Sequence, residues 1–433
     1  MKVTREKTEN SQVFLSVELE PAEVEESLEQ SYHRLVRRTN IPGFRKGKVP
    51  RAILERYIGK ESLLDDALKY LIPQAYEKAI NEQEIEAIAQ PQIELAQTDP
   101  VVFKATVPLK PTVELGDYHH IQLTPEPVEL TEDDVNAIIE QMRHQRATWE
   151  PVERPVDFGD LVVFDIDSSI EDEPFINQKG VQYQVLHDLP FPVPGFAEQL
   201  SGIKGGEDKE FNLQLPLDYP RGELAGKEAL FKVRVTEIKQ EILPELSDEF
   251  AREVNPDFTL DSLREKVSAD LRLRAEEKAK TDFEERVIEA VVDLTQLEFP
   301  PVLVETEINR MLSEQSRRLQ MGGQGMEEYL RNINKTEEEL REELTPLATK
   351  RVTQSLVLGR IAQEEKIEVS SSEVDAEIEG ITKDATEDRD EMQEFLSTPQ
   401  VRQSIERSLI AKKTIQRLVE IAKGAGEEGI NVS

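Results

Sequence analysis

The chain has 433 residues, of which 38% are hydrophobic, 6% aromatic and 33% charged, with a net charge of −35 and no cysteine. The length suggests about three domains; the lack of cysteine excludes disulfides and thiolate metal sites, and the negative charge excludes diffuse attraction to nucleic acid, so any polyanion contact has to be local. The opening MKVTREKTEN has no apolar signal core and no apolar run approaches the ~18 residues of a membrane span, so a cytoplasmic protein without a membrane segment is expected.

Twenty of the 24 prolines lie at or before Pro256, which predicts a mixed first three-fifths and a mostly helical remainder. Residues 11–20, SQVFLSVELE, alternate as a half-buried strand through Val13, Leu15, Val17 and Leu19. Pro21 opens a helix with Val24, Leu28, Tyr32 and Leu35 as its apolar stripe. Glu23, Glu25 and Glu26 fall in its first turns and Arg34, Arg37 and Arg38 in the last, as the helix dipole favours. The loop NIPGFRKGKVPRA follows, then helices from about Arg51 to Ile58 and from about Glu61 to Glu82. IEAIAQPQIELA and VVFKATVPLKPTVEL are expected as two more strands, closing an α+β domain over 1–115.

Residues 34–60 hold nine cations and one acid, Glu55, so the rest of the chain carries the compensating negative charge. Such asymmetry implies a dedicated acidic partner. Phe44 stands among the cations, and the glycines and prolines impose a fixed shape that lowers the entropy lost on docking. The loop is not a nucleotide site. A phosphate loop needs four residues between its glycines and Ser or Thr after the lysine; here there are three, and Val49. No ATP or other cofactor is expected.

Residues 116–155 read as a linker carrying a helix begun by Thr131, with Val135, Ile138, Ile139 and Met142 inward and Trp149 at its far end. Residues 156–243 contain four strand signals, LVVFDIDSSI, GVQYQVLH, DKEFNLQLP and EALFKVRVTEI, around one short helix at GFAEQLSGI. That predicts an antiparallel sheet over a helix. The five histidines lack metal-ligand spacing, and His119 and His120 are expected to point apart in a strand. From 244 onward the pattern is helical. Residues 262–297 predict one helix about 54 Å long, with a narrow seam of Leu263, Val267, Leu271, Phe283, Val287, Val291 and Leu294. Capping boxes at Thr336/Glu339 and Ser370/Glu373 start two further helices. MGGQGM is a turn, with Met311, Met321 and Met326 clustered about it, and the tail 424–433 is expected to be disordered.

GFRKGKVP with its preceding helix resembles the ribosome-docking signature of the bacterial trigger factors, and the similarity extends over nearly the whole chain. The resemblance implies a multidomain α+β protein: a docking domain over 1–115, an isomerase domain of the FK506-binding-protein type over 156–243, and an all-α chaperone body with arms over 244–433. It implies docking beside the exit tunnel of the large ribosomal subunit, through a ribosomal protein and rRNA. Phe44, Arg45, Lys46 and Lys48 are then the contacts, and Gly43 and Gly47 shape the loop. PGFAEQLSGIKGGE is similar to the isomerases, and that alignment lines a proline pocket with Ile166, Phe175, Tyr183, Val193, Phe196, Tyr219 and Phe231. Single-domain relatives have Asp where this chain has Ile176, Trp for Phe196 and Tyr for Ile166. The implied clients are nascent and unfolded polypeptides, with Met321 and Met326 at an arm tip and a homodimer left open for the free protein. Two other readings stay open on the residues alone: a free-standing isomerase with a helical dimerisation module, and an acidic scaffold without activity.

Overall fold

The computed structural model describes residues 1–171, 173–187, 192–217, 219, 224–383 and 389–424, of which 389–391 are described by backbone alone. The expected disordered tail, apart from Gly424, and Phe191 of the central sheet region lie outside the described residues.

The first 125 residues form part of one compact unit with residues 281–433; residues 126–280 form the other. The chain begins with strands β1 (Lys2–Glu9) and β2 (Gln12–Glu18), then helices α1 (Pro21–Arg38), α2 (Arg51–Ile58) and α3 (Lys60–Glu82), then strands β3 (Gln92–Thr98), β4 (Val101–Pro108) and β5 (Thr112–Glu114). The sheet order is β1-β2-β4-β3, antiparallel throughout, with Val13↔Val107 and Leu15↔Ala105 in register. The inward alternation of β2 and β4 packs on α3 through Leu68, Ala75, Tyr76 and Ala79. β1 was not foreseen, because only Val3 among its residues is aliphatic and the strand is almost wholly exposed; a charged edge strand of this kind resists edge-to-edge association. The predicted strand at 85–96 starts only after Pro91, and 101–115 is two strands parted at Pro108 and Pro111. The most buried positions of α1 are Ser27, Ser31 and Val36, not the apolar stripe. The Ser27 hydroxyl donates to the Ala67 carbonyl at 3.0 Å and Ser31 bonds Asp66, so small polar residues let α1 and α3 approach closely.

The second unit contains α4 (Glu132–Gln145), β6 (Thr148–Pro151), β7 (Leu161–Ile170), β8 (Glu173–Gln184), α5 (Phe196–Leu200), β9 (Asp208–Gln214), β10 (Glu228–Ile242), α6 (Asp248–Val254) and the start of α7 (Leu260–Asp293). Strand β10 pairs β7 along one edge and β9 and β6 in succession along the other; β8 lies outside β7. Val162, Phe164, Ile166, Ser168 and Ile170 of β7 point inward, at the two-residue period. The expected linker is itself packed: Val135 and Ile139 of α4 bury against Phe250, Leu263 and Val267.

After α7 the chain returns to the first unit with β11 (Gln296–Glu298), α8 (Val302–Met321), α9 (Met326–Asn332), α10 (Glu337–Glu364), α11 (Ser371–Thr382), α12 (Arg389–Leu396) and α13 (Pro399–Ala422). Helix α7 therefore ends sooner than the sequence suggests: 296–298 pair with β5, and Leu294 is exposed rather than part of the seam. Phe283, Val287 and Val291 pack with Val357, Ile361, Leu418 and Tyr118. Tyr118 and the two histidines after it form a 3-10 turn, not a strand. The Tyr118 hydroxyl donates to Glu365 at 3.0 Å, and the Arg417 guanidinium binds the same carboxylate at 3.0 Å.

Candidate functional site

Helix α1 ends at Arg38 because its next residues lead into Ile41, which is buried with Val36, Val49 and Leu54 in a small core of its own. That core mounts both ends of the 40–50 loop. Between them the chain makes two tight turns: the Phe44 amide donates to the Ile41 carbonyl at 3.2 Å and the Lys48 amide to the Arg45 carbonyl at 2.9 Å. The Gly47 amide reaches back to Val36 at 3.1 Å, and the Tyr32 hydroxyl donates to the Val49 carbonyl at 2.7 Å. Gly43 and Gly47 have φ of +88° and +80°. Only glycine adopts such angles without strain.

The turns push Phe44, Arg45, Lys46 and Lys48 into solvent; Phe44 is 42% exposed. None of Arg45, Lys46 or Lys48 makes an ion pair among the described residues, nor do Arg37, Arg38, Arg56 or Lys60. Two members of the cationic run are different. Arg34 pairs with Asp66 at 3.0 Å and lies over the Tyr70 ring, and Arg51 binds Glu25, Glu29 and Glu55. The charge offered to an outside partner is thus narrower than the sequence count, and centred on the loop.

In the second unit the seven residues expected around a proline pocket fall into one apolar cluster. Phe196, at the first position of α5, and Phe231, on β10, are fully buried with ring centroids 5.4 Å apart. Tyr183 meets Phe196 edge-on at 5.7 Å. Phe175 and Tyr219 are half-buried, 6.3 Å apart, and Phe175 is 6.4 Å from Phe231. Val193 and Ile166 complete the buried wall. Burial, and secondarily the charge of Glu198, pushes the Tyr183 phenol up to about 12. Phe211, outside the seven, stacks on Phe231 at 5.7 Å and lies 5.5 Å from Phe196 between ring centroids. Its place on the inward face of β9 was legible from the alternation of DKEFNLQL. Such a site offers shape and an apolar environment, and no nucleophile.

In the helical part of the first unit, Met321 is 78% exposed at the end of α8. Met326 is half-buried and lines a groove of about 610 Å³ with Leu312, Ser316, Arg317 and Arg341. Met311 is not with them: it is buried beside Ile308 and Ala348. Phe395 of α12, 64% exposed, and Met392 beside it were not singled out from the sequence, although their i, i+3 spacing in a charged helix marks an apolar face. Among the described residues no helix is long and apolar enough to cross a membrane.

The chain is similar to several known proteins. A solved structure described as "Promiscuous Substrate Recognition in Folding and Assembly Activities of the Trigger Factor Chaperone" is 24% identical, covers 97% of this chain and 99% of that one, and has a TM-score of 0.48. Residues 1–142 match the family described as bacterial trigger factor protein, and residues 259–420 its C-terminal counterpart. The trigger factor of Dehalococcoides mccartyi is 42% identical over 425 residues, spanning 98% of this chain and 95% of its own length. That of Moorella thermoacetica is 39% identical over 431 residues, with 98% and 95% covered. With identity at this level over almost its full length, the chain belongs to the bacterial trigger factor family of chaperones.

Proposed function

We propose that this protein is an ATP-independent chaperone that docks on the large ribosomal subunit beside the exit tunnel, receives nascent polypeptides, keeps them open for folding or export, and isomerises their X–Pro bonds. Family membership supports the docking role, and one observation carries it: an exposed Phe44 flanked by Arg45, Lys46 and Lys48, all unpaired among the described residues, on a loop whose shape is set by two positive-φ glycines. Cations left free in a chain of net charge −35 are positioned for an outside polyanion, rRNA or an acidic protein surface. Phosphate contacts of this kind give modest, salt-dependent affinity. We assign docking to residues 1–115 with Gly43 to Lys48 as its contact, isomerisation to 156–243, and client binding to 244–433, joined through 116–155; the site of action is the cytoplasm. Weak apolar patches such as Met321 and Phe395 suffice once docking raises the local concentration of nascent chain.

The isomerase role is assigned to the aromatic cluster. An X–Pro bond turns over in roughly 10–100 s unaided. Twisting the imide removes its resonance charge separation, so the twisted transition state is less polar than either planar form. A wall made of Ile166, Val193, Phe196 and Phe231 strips water from the imide and favours the twisted state, which is differential binding. A 10⁴-fold acceleration requires about 5.5 kcal/mol of such preference. Phe175 and Tyr219, half-buried at the edge of the cluster, would hold the residue preceding proline. Phe175→Ala is expected to lower turnover of an X–Pro peptide at least tenfold while the domain stays folded. Wild-type turnover in this variant would remove the pocket assignment. Docking is tested by replacing Phe44, Arg45 and Lys46 together with alanine and pelleting ribosomes: the variant is expected in the supernatant. Its continued sedimentation would remove the loop assignment; failure of the wild type itself to sediment, with isomerase activity intact, would leave a free-standing isomerase.

A further inference from the structure

Arg51 follows the docking loop directly and opens α2, and in sequence it belongs to the cationic run. Its side chain, however, turns back onto the protein and is 25% exposed. Nη1 donates to Glu25 at 2.5 Å and to Glu29 at 3.3 Å, Nη2 to Glu25 at 3.3 Å, and Nε to Glu55 at 2.7 Å. Glu25 and Glu29 lie one turn apart on α1, and Glu55 one turn on along α2. Glu29 is also 3.3 Å from the His33 ring. Three carboxylates around one guanidinium leave this spot negative, so it does not attract a polyanion. The fork geometry, which a lysine cannot reproduce, instead fixes the first turn of α2 against α1. With the Tyr32–Val49 and Gly47–Val36 hydrogen bonds, this contact ties the second half of the loop to α1.

We infer that Arg51 is a positioning residue of the docking site: a brace on Glu25, Glu29 and Glu55 that holds the 40–50 loop in its binding shape, and not itself a contact of the partner. The inference rests on the docking role proposed above. A single exposed ion pair contributes little, but a shared fork between two helices acts on loop order, and loop order lowers the entropy lost on binding.

Direct contact and brace predict opposite signs. In the full-length chain, Glu25→Gln with Glu29→Gln removes two negative charges near the loop. If Arg51 touches the ribosome, the double variant frees it and binding tightens. If Arg51 is a brace, binding weakens, by roughly three- to tenfold, in spite of the added positive charge. Ribosome affinity would be measured across a salt series for wild type, this double variant, Arg51→Gln and Arg45→Gln. The brace predicts that Arg51→Gln and the double variant weaken binding with an unchanged salt slope, and that the Gly47 and Lys48 amides exchange faster in both. Arg45→Gln is expected to flatten the slope by about one contact. Tighter or unchanged binding in the double variant, a slope in Arg51→Gln flattened as in Arg45→Gln, or unchanged amide protection overturns the inference while the docking site stands. If Arg45→Gln binds as wild type does, the docking reading falls and the brace falls with it.

Discussion

Arg45 and Arg51 are six residues apart and chemically identical, yet one faces solvent without a partner and the other is held by three carboxylates. The sequence shows that cations concentrate over 34–60; it does not show which are free, because Glu25 and Glu29 reach Arg51 across 26 and 22 residues through the packing of α1 on α2. The aromatic cluster was more legible. Its members are those the family resemblance implies, and all seven fall together in the structure, with Phe211 the addition. Tyr183 gives a pH test at this scale. Burial raises its phenol from 10.0 to about 12, so the proton is bound more tightly in the folded state. The stability this provides is present in full below pH 10 and is lost as pH rises from 10 towards 12. Burial also raises the Tyr118 and Tyr76 phenols, so a spectrophotometric titration is expected to show several late tyrosines, one fewer of them in Tyr183→Phe; an unchanged curve in that variant would contradict the burial argument.

At the level of elements, boundaries set by capping chemistry were the most legible. The Thr336 and Ser370 boxes close as the spacing predicts, and Thr131 begins its helix as expected, with a box closed by Asp134. Short strands were the least legible, since β5 and β11 have three residues each and are defined only by each other. Edge strand β1 carries too little apolar alternation to be seen. Proline does not always end a helix: Pro73 lies inside α3, which was expected to run past it, and Pro346 lies inside α10. The start of α11 yields a prediction. Hydrogen bonding to Lys413, then to Ser370, lowers the Glu373 carboxyl to about 2. Because that value is depressed, the carboxylate supports the helix above the ordinary range near 4.5, and this support is lost as pH falls towards about 2. Ser370→Ala is expected to destabilise α11 by about 1 kcal/mol at neutral pH, read as faster amide exchange in its first turn, and to remove part of the acid sensitivity. Unchanged exchange would show that the box is not holding the helix end.

For the molecule as a whole, the sequence order hides the organisation. Residues 1–125 and 281–433 form one unit, knitted by β5 with β11, by the Ser11 amide to Glu298 at 3.0 Å, and by Tyr118 with Glu365 and Arg417. These partners are separated by up to 287 positions, beyond the reach of any periodicity argument. The loop that carries the proposed docking site therefore sits in the same unit as the helices bearing the exposed Met321 and Phe395, while the aromatic cluster sits in the other. On this account, attachment and catalysis are separable, and one measurement tests that most directly. The variant with Phe44, Arg45 and Lys46 replaced by alanine is sedimented with ribosomes at several salt concentrations and assayed on an X–Pro peptide. The account predicts loss of sedimentation at all salt concentrations with full isomerase activity. Sedimentation equal to wild type, with the same salt dependence, would contradict it.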